Sequence, residues 1–165
     1  MFERIRSKFH DVGTIKRLCE RAEAHALHDQ QREPGAEHFL LAALDLPDGT
    51  ARLAFARAGG EPDALKTAIE RQYGDALLSI GLTADTSTVP VSAYPGVYHA
   101  APSGQAVMRE LAEVRRDHAP LLGAHVVSIV AGLSQGVVPR ALRALGVDPV
   151  SLKSSADAIV GKSSS

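Results

Sequence analysis

The stretch Ala51-Arg-Leu-Ala-Phe-Ala-Arg-Ala-Gly59-Gly-Glu-Pro-Asp-Ala-Leu65 has an echo in Val138-Pro-Arg-Ala-Leu-Arg-Ala-Leu-Gly146-Val-Asp-Pro-Val-Ser-Leu152. In each, a short Ala- and Leu-rich run stops at glycine. A proline then opens the next run, at the one helical position that tolerates it. The two glycines differ by 87 in number (146 against 59). Upstream, Pro-Gly35-Ala stands before a Leu-rich run and Leu-Gly123-Ala before a Val-rich one. Each half reads as helix, glycine turn, apolar helix, glycine turn, helix, glycine, helix. A unit repeated at fixed spacing buries its apolar face against its own copy. The predicted fold is all-α: two pseudo-symmetric four-helix repeats, about 10–74 and about 103–160. A long connector spans about 75–102, and 161–165 is a frayed tail, all within one domain.

Working outward, the spacing predicts a first helix from Val12 to His28, with Ile15, Leu18, Cys19, Ala22 and Ala26 as its apolar stripe. Phe2, Ile5 and Phe9 form a short amphipathic turn or helix entry. A second helix covers Ala36 to Leu44. Thr50 is the expected N-cap of a third over Ala51–Ala58, with Leu53 and Phe55 as its large apolar residues and Gly59-Gly60 as its stop. A fourth starts near Pro62 and ends near Tyr73-Gly74. The connector holds many Thr, Ser, Pro and Gly residues, with a short strand expected at Val89–Val91. Ser103 is the expected cap of a helix to His118. Helices after Gly123 and Gly136 run to Leu133 and Leu145. Asp148 caps the last, with Pro149 at its first position.

Composition narrows the function. The 165 residues are 45% hydrophobic and 22% charged, the range of a globular chain with a real core. Trp is absent and aromatics are 4%, so the core is built from small aliphatic residues and favours close helix packing. A net charge of -1 provides no global field for nucleic acid. The longest apolar stretch, around Val126 to Leu133, is far short of the ~20 residues that span a membrane. One cysteine, Cys19, allows no internal disulfide and fits a reducing cytoplasm. Met1-Phe-Glu-Arg-Ile5 does not read as a signal peptide.

The doubled order of motifs resembles the N-terminal domain of Clp AAA+ unfoldases, over about residues 10–160. Gly35-Ala-Glu-His-Phe-Leu-Leu-Ala-Ala-Leu44 is similar to the family's Gly-Thr-Glu-His-hydrophobic-Leu-Leu-x-x-Leu. Ala22 and Ala26 stand upstream at family-like spacing. Ser103-Gly-Gln-Ala106 and Gln135-Gly-Val-Val-Pro-Arg-Ala-Leu-Arg-Ala-Leu-Gly146 carry the likeness into the second half. That half lacks a Glu-His pair in the expected region, where His125-Val-Val127 stands. The resemblance implies a stand-alone double-repeat protein without the ATPase modules, or a piece of a longer unfoldase. It implies no enzyme activity and no cofactor. The expected role is a protein-interaction module of the Clp protease and chaperone system, binding an adaptor, a substrate or the Clp unfoldase. A decoy that sequesters N-domain ligands is the alternative.

The candidate partner-binding residues are Glu37, His38, Tyr94 and Tyr98. In some Clp relatives the Glu of this motif and a Thr opening helix one are associated with phosphorylated arginine; a carboxylate pairs with guanidinium while a hydroxyl and helix N–H groups take the phosphate. Here Ala36 replaces the motif's Thr, and Val12 falls near the helix-one Thr position. The plainer readings are a helix-start carboxylate for Glu37 and a packed or capping imidazole for His38. Tyr94 and Tyr98 lie on a Pro- and Gly-rich segment, where aromatics anchor peptides or tuck over the core.

No catalytic, cofactor-binding or metal-binding residue is expected. His25 and His28, three apart, with His38 one loop away, are the nearest approach to a metal set. Cys19, on an apolar stripe, reads as a small buried side chain rather than a nucleophile. Ala156-Asp-Ala-Ile-Val-Gly-Lys162-Ser nearly satisfies a phosphate-loop pattern but lacks the strand before and the helix after it. An enzyme dependent on metal or thiol on a helical scaffold is the remaining reading from another class.

Overall fold

A computed structural model describes residues 2–81, 98–117 and 120–163. These form eight α-helices: α1 (Phe2–His28), α2 (Ala36–Leu44), α3 (Thr50–Arg57), α4 (Leu65–Ser79), α5 (Pro102–Asp117), α6 (Gly123–Ala131), α7 (Val137–Ala144) and α8 (Pro149–Ser163). A single 3-10 turn at Pro62–Ala64 leads into α4. No strand occurs among the described residues, and no helix there is long and apolar enough to cross a membrane. The strand expected at Val89–Val91 lies outside the described residues.

Two helices form the centre. All nine residues of α2 are buried, and seven of the nine in α6. The two pack on each other; α1 and α5 also cover α2, while α3, α5 and α8 also cover α6. Across the body, α3 packs on α8 and α4 on α7. Leu18, Ala22 and Ala26 of α1 are fully buried, as the stripe predicts, and their small size lets α1 lie close along α2. The boundaries of α2 and α6 differ by 87 at both ends (36 and 44 against 123 and 131), and so do those of α3 and α7. Gly59 and Gly146 stop α3 and α7 at positive φ, and the following N–H groups return to Phe55 and Leu142 carbonyls at 2.9 Å.

Several expectations shift. The first helix starts at Phe2, not Val12, since nothing between Phe9 and Thr14 breaks it; Gly13 is a tolerated interior glycine. Helix α4 runs through Gly74 to Ser79, and the connector therefore starts later than 75. The tail at 161–163 is helical, which spends the backbone N–H groups of the Gly161-Lys-Ser string inside α8 and leaves no phosphate cradle. Leu53 is 43% exposed, and α3 fills the core with Phe55 together with Ala51 and Ala54.

The capping residues differ most. Thr50 is the first residue of α3 rather than its cap, and Asp48 accepts the Thr50 N–H at 2.8 Å. Ser103 lies inside α5, and its Oγ accepts the Ala36 N–H at 3.1 Å, capping α2 instead. Asp48 Oδ2 accepts the Gly123 N–H at 3.1 Å, and Thr50 Oγ1 the Ala124 N–H at 2.9 Å. Asp11, 2% exposed, accepts the Leu121 N–H at 2.8 Å. Asp148 does cap α8: it accepts from the Ser151 hydroxyl and N–H, which hold its carboxyl below the ordinary range.

Two glycines mark where backbones meet. A Cβ at Gly104 falls 2.3 Å from the Pro34 carbonyl oxygen, and one at Gly123 falls 3.1 Å from that of Ala43. Gly104→Ala is expected to lower unfolding free energy by about 1–3 kcal/mol through overpacking. Asp11→Ala is expected to cost about the same by orphaning a buried N–H. Urea denaturation of both variants checks this; an unchanged midpoint contradicts it.

Candidate functional site

Glu37 and His38 open α2, at its second and third positions. A helix start leaves backbone N–H groups without partners. His38 meets one of them: its Nδ1 accepts the Gly35 N–H at 3.0 Å. A nitrogen that accepts carries no proton, so the proton resides on Nε2, which donates to Asp29 Oδ2 at 3.0 Å. Both ring nitrogens are used, and the ring is fully buried. It stacks on Tyr73 of α4, with centroids 6.2 Å apart and planes 9° off parallel. His38 therefore ties the end of α1 to the start of α2 and to α4.

Glu37 is 7% exposed and accepts the Tyr73 hydroxyl. Its carboxylate folds back over Gly35, where a Cβ falls 2.7 Å from Oε2. Burial, and then the Glu37 hydrogen bond, pushes the Tyr73 phenol above its ordinary range. One oxygen of the Glu37 carboxylate is engaged within the protein by the Tyr73 hydroxyl. Val12 lies exposed on α1.

Tyr98 stands elsewhere. It is 36% exposed, and it shares a hydrogen bond with Cys19 of α1. Burial raises the Cys19 thiol pKa, with the Tyr98 bond opposing, so this environment does not favour the thiolate that nucleophilic chemistry needs. Three residues after Tyr98, the Ala101 N–H donates to the Pro34 carbonyl at 3.1 Å, just ahead of α2. Tyr94 lies outside the described residues.

The histidines do not assemble as one set. His25 Nε2 meets Asp45 Oδ2 at 2.7 Å, and His28 Nε2 meets Glu70 Oε1 at 3.2 Å. His38 has no ring nitrogen to spare. Among the described residues, His28, Asp29 and Glu70 bring ligand atoms within 4.8 Å of one another, close enough for one cation.

Position 125 corrects the reading of the second half. His125 Nδ1 accepts the Leu122 N–H at 2.9 Å, the contact His38 makes in α2. The two histidines differ by 87 in number, so the histidine of the pair persists and Ala124 stands for the glutamate. By the same offset Gly35 corresponds to Leu122, one residue before Gly123. Sequence reasoning missed Asp29 and Tyr73. Tyr73 was findable, four residues after Ile69 on the Leu65–Ile69 stripe; Asp29 carried no signal.

His38→Ala is expected to destabilise the fold by about 1–3 kcal/mol, since it orphans the Gly35 N–H and Asp29 together. Tyr73 has a raised pKa in the folded state. Its contribution is complete below the unfolded phenol value of about 10 and declines as pH rises beyond it. Tyr73→Phe is expected to flatten part of the alkaline loss in a series of thermal melts above pH 10; an unchanged slope contradicts the assignment.

No curated protein matches the chain. Residues 14–87 match the family model described as the Clp repeat (R) N-terminal domain. The match begins inside α1, covers α2, α3 and α4, and contains the whole Glu37–His38–Asp29–Tyr73 network. Over these residues the chain is similar to the Clp repeat N-terminal domain.

Proposed function

We propose that the chain is a non-catalytic protein-interaction module of a Clp protease system, binding an adaptor, a substrate or the unfoldase. The family match over residues 14–87 carries this reading, because Clp repeat domains mediate protein–protein contacts. The geometry at the start of α2 supports it. Glu37 and His38 are turned inward and hold α1, α2 and α4 in register, and the outer surface is left for recognition. Tyr98, part exposed beside Cys19 of α1, offers an aromatic anchor of the kind interfaces favour. Tyr94 joins it in this reading by sequence alone. Glu37 and His38 shape the face from beneath.

The test is a reconstituted degradation assay with a Clp unfoldase, its protease and a folded substrate. The chain is expected to co-purify with a Clp component and to change the degradation rate. Faster turnover marks delivery, and slower turnover marks the decoy form, which competes for N-domain ligands. Tyr98→Ala is expected to weaken the effect without lowering the melting temperature by more than a few degrees. ATPase or peptidase activity in the purified chain, or no effect and no co-purification, overturns the proposal.

A further inference from the structure

Among the described side chains, those in the first turns of α1, between Phe2 and His10, are all exposed and cover no part of the core, and Asp11 is the first that is buried. Yet these turns carry Phe2, Ile5, Phe9 and Val12, exposed by 85%, 47%, 75% and 53%. Their spacing of three, four and three places them on one stripe. It lies about a third of a turn from the Leu18–Ala22–Ala26 face that packs on α2. A helical segment this short is marginal on its own in water. It is held here as the continuation of a helix anchored at Asp11 and Leu18.

We propose that this stripe is a docking seam for an acidic amphipathic helix on a protein partner. The inference deepens the interaction-module reading and rests on it. Three observations select this occupant. First, the stripe is narrow, two apolar residues per seven, in the a and d pattern of a helix–helix seam. A helix lying in a lipid surface needs a broader apolar face. Second, exposed Arg6 and Lys8 flank the stripe, one on each side. Cations on both flanks match a partner whose seam is edged by carboxylates on both sides. Third, the same flanks oppose pairing with a second copy. The 3-4-3 spacing reads the same in reverse and suits an antiparallel pair, but that pair sets Arg6 against Arg6 and Lys8 against Lys8.

The test uses the full chain and two synthetic helical peptides with Leu at a and d, one with Glu at e and g and the other with Lys. Fluorescence anisotropy is expected to show binding of the Glu peptide, weakened by salt, and little binding of the Lys peptide. Ile5→Asp with Phe9→Asp is expected to cut affinity roughly tenfold or more. Arg6→Glu with Lys8→Glu is expected to reverse the preference towards the Lys peptide. The substituted residues project from the body, so thermal melts of these variants are expected to match the parent. Equal binding of both peptides, binding of neither, capture by phosphatidylglycerol vesicles instead, or a dimer that the Asp variants dissociate would each overturn the seam. Clp co-purification that survives in the Asp variants, with no peptide bound, sinks the seam and keeps the module. Glu-peptide binding by a chain that captures no Clp component supports the seam and sinks the module.

Discussion

Two buried helices begin inside this protein, and the N–H groups at their starts need partners that water does not supply. The first turn of an α-helix leaves its donors unmet, and each one left unmet in the interior costs about 1–3 kcal/mol. At α6 the partners come from the other half of the chain: Asp48 takes Gly123, Thr50 takes Ala124, and Asp11 takes Leu121. At α2, Ser103 reaches back from α5 to Ala36. The halves are therefore joined by directional bonds as well as by apolar contact. Sliding one past the other would break several bonds together. Gly104 and Gly123 allow the approach, because any side chain there would strike backbone or a packed neighbour.

The same demand explains the fate of the Glu37–His38 pair. A histidine at the third position of a buried helix can turn its Nδ1 onto the N–H three residues earlier, and both His38 and His125 do so. In the first half the network is extended: Asp29 receives the other His38 nitrogen, Tyr73 stacks on the ring, and its hydroxyl reaches Glu37. Chemistry-bearing side chains are thus drawn inward for architecture. What faces outward is different in kind: the N-terminal turns of α1, with their apolar stripe and cationic edges, and the part-exposed Tyr98 beside Cys19 of α1. Recognition by such a surface depends on shape, apolar contact and charge rather than on bond chemistry.

The helices themselves were legible because their signals are local. Apolar spacing, glycine stops and Pro149 after Asp148 placed α2, α3, α7 and the start of α8 to within a residue or two. The start of α1 was misplaced because Phe2, Ile5 and Phe9 read as a separate turn or helix entry, whereas the helix is continuous from Phe2. The end of α4 was misplaced because Gly74 looks like punctuation, but a single interior glycine costs a helix only about 1 kcal/mol relative to Ala, which the flanking turns outweigh. The caps were misread because Ser103 and Thr50 satisfy donors from distant segments, at separations of 67 and 74 residues.

For the candidate site, the sequence by itself determined that Glu37 and His38 open an apolar helix and that no second Glu-His pair stands in the corresponding region, since those facts depend only on order and spacing. It also determined the three-and-four spacing of Phe2, Ile5 and Phe9. Only the tertiary structure decided that the Glu37 carboxylate belongs to Tyr73, that His38 holds its proton on Nε2 against Asp29, and that Phe2, Ile5 and Phe9 have no core to cover. Hydrogen-bond partners and burial depend on which segments meet after folding, and no local pattern in the chain encodes that.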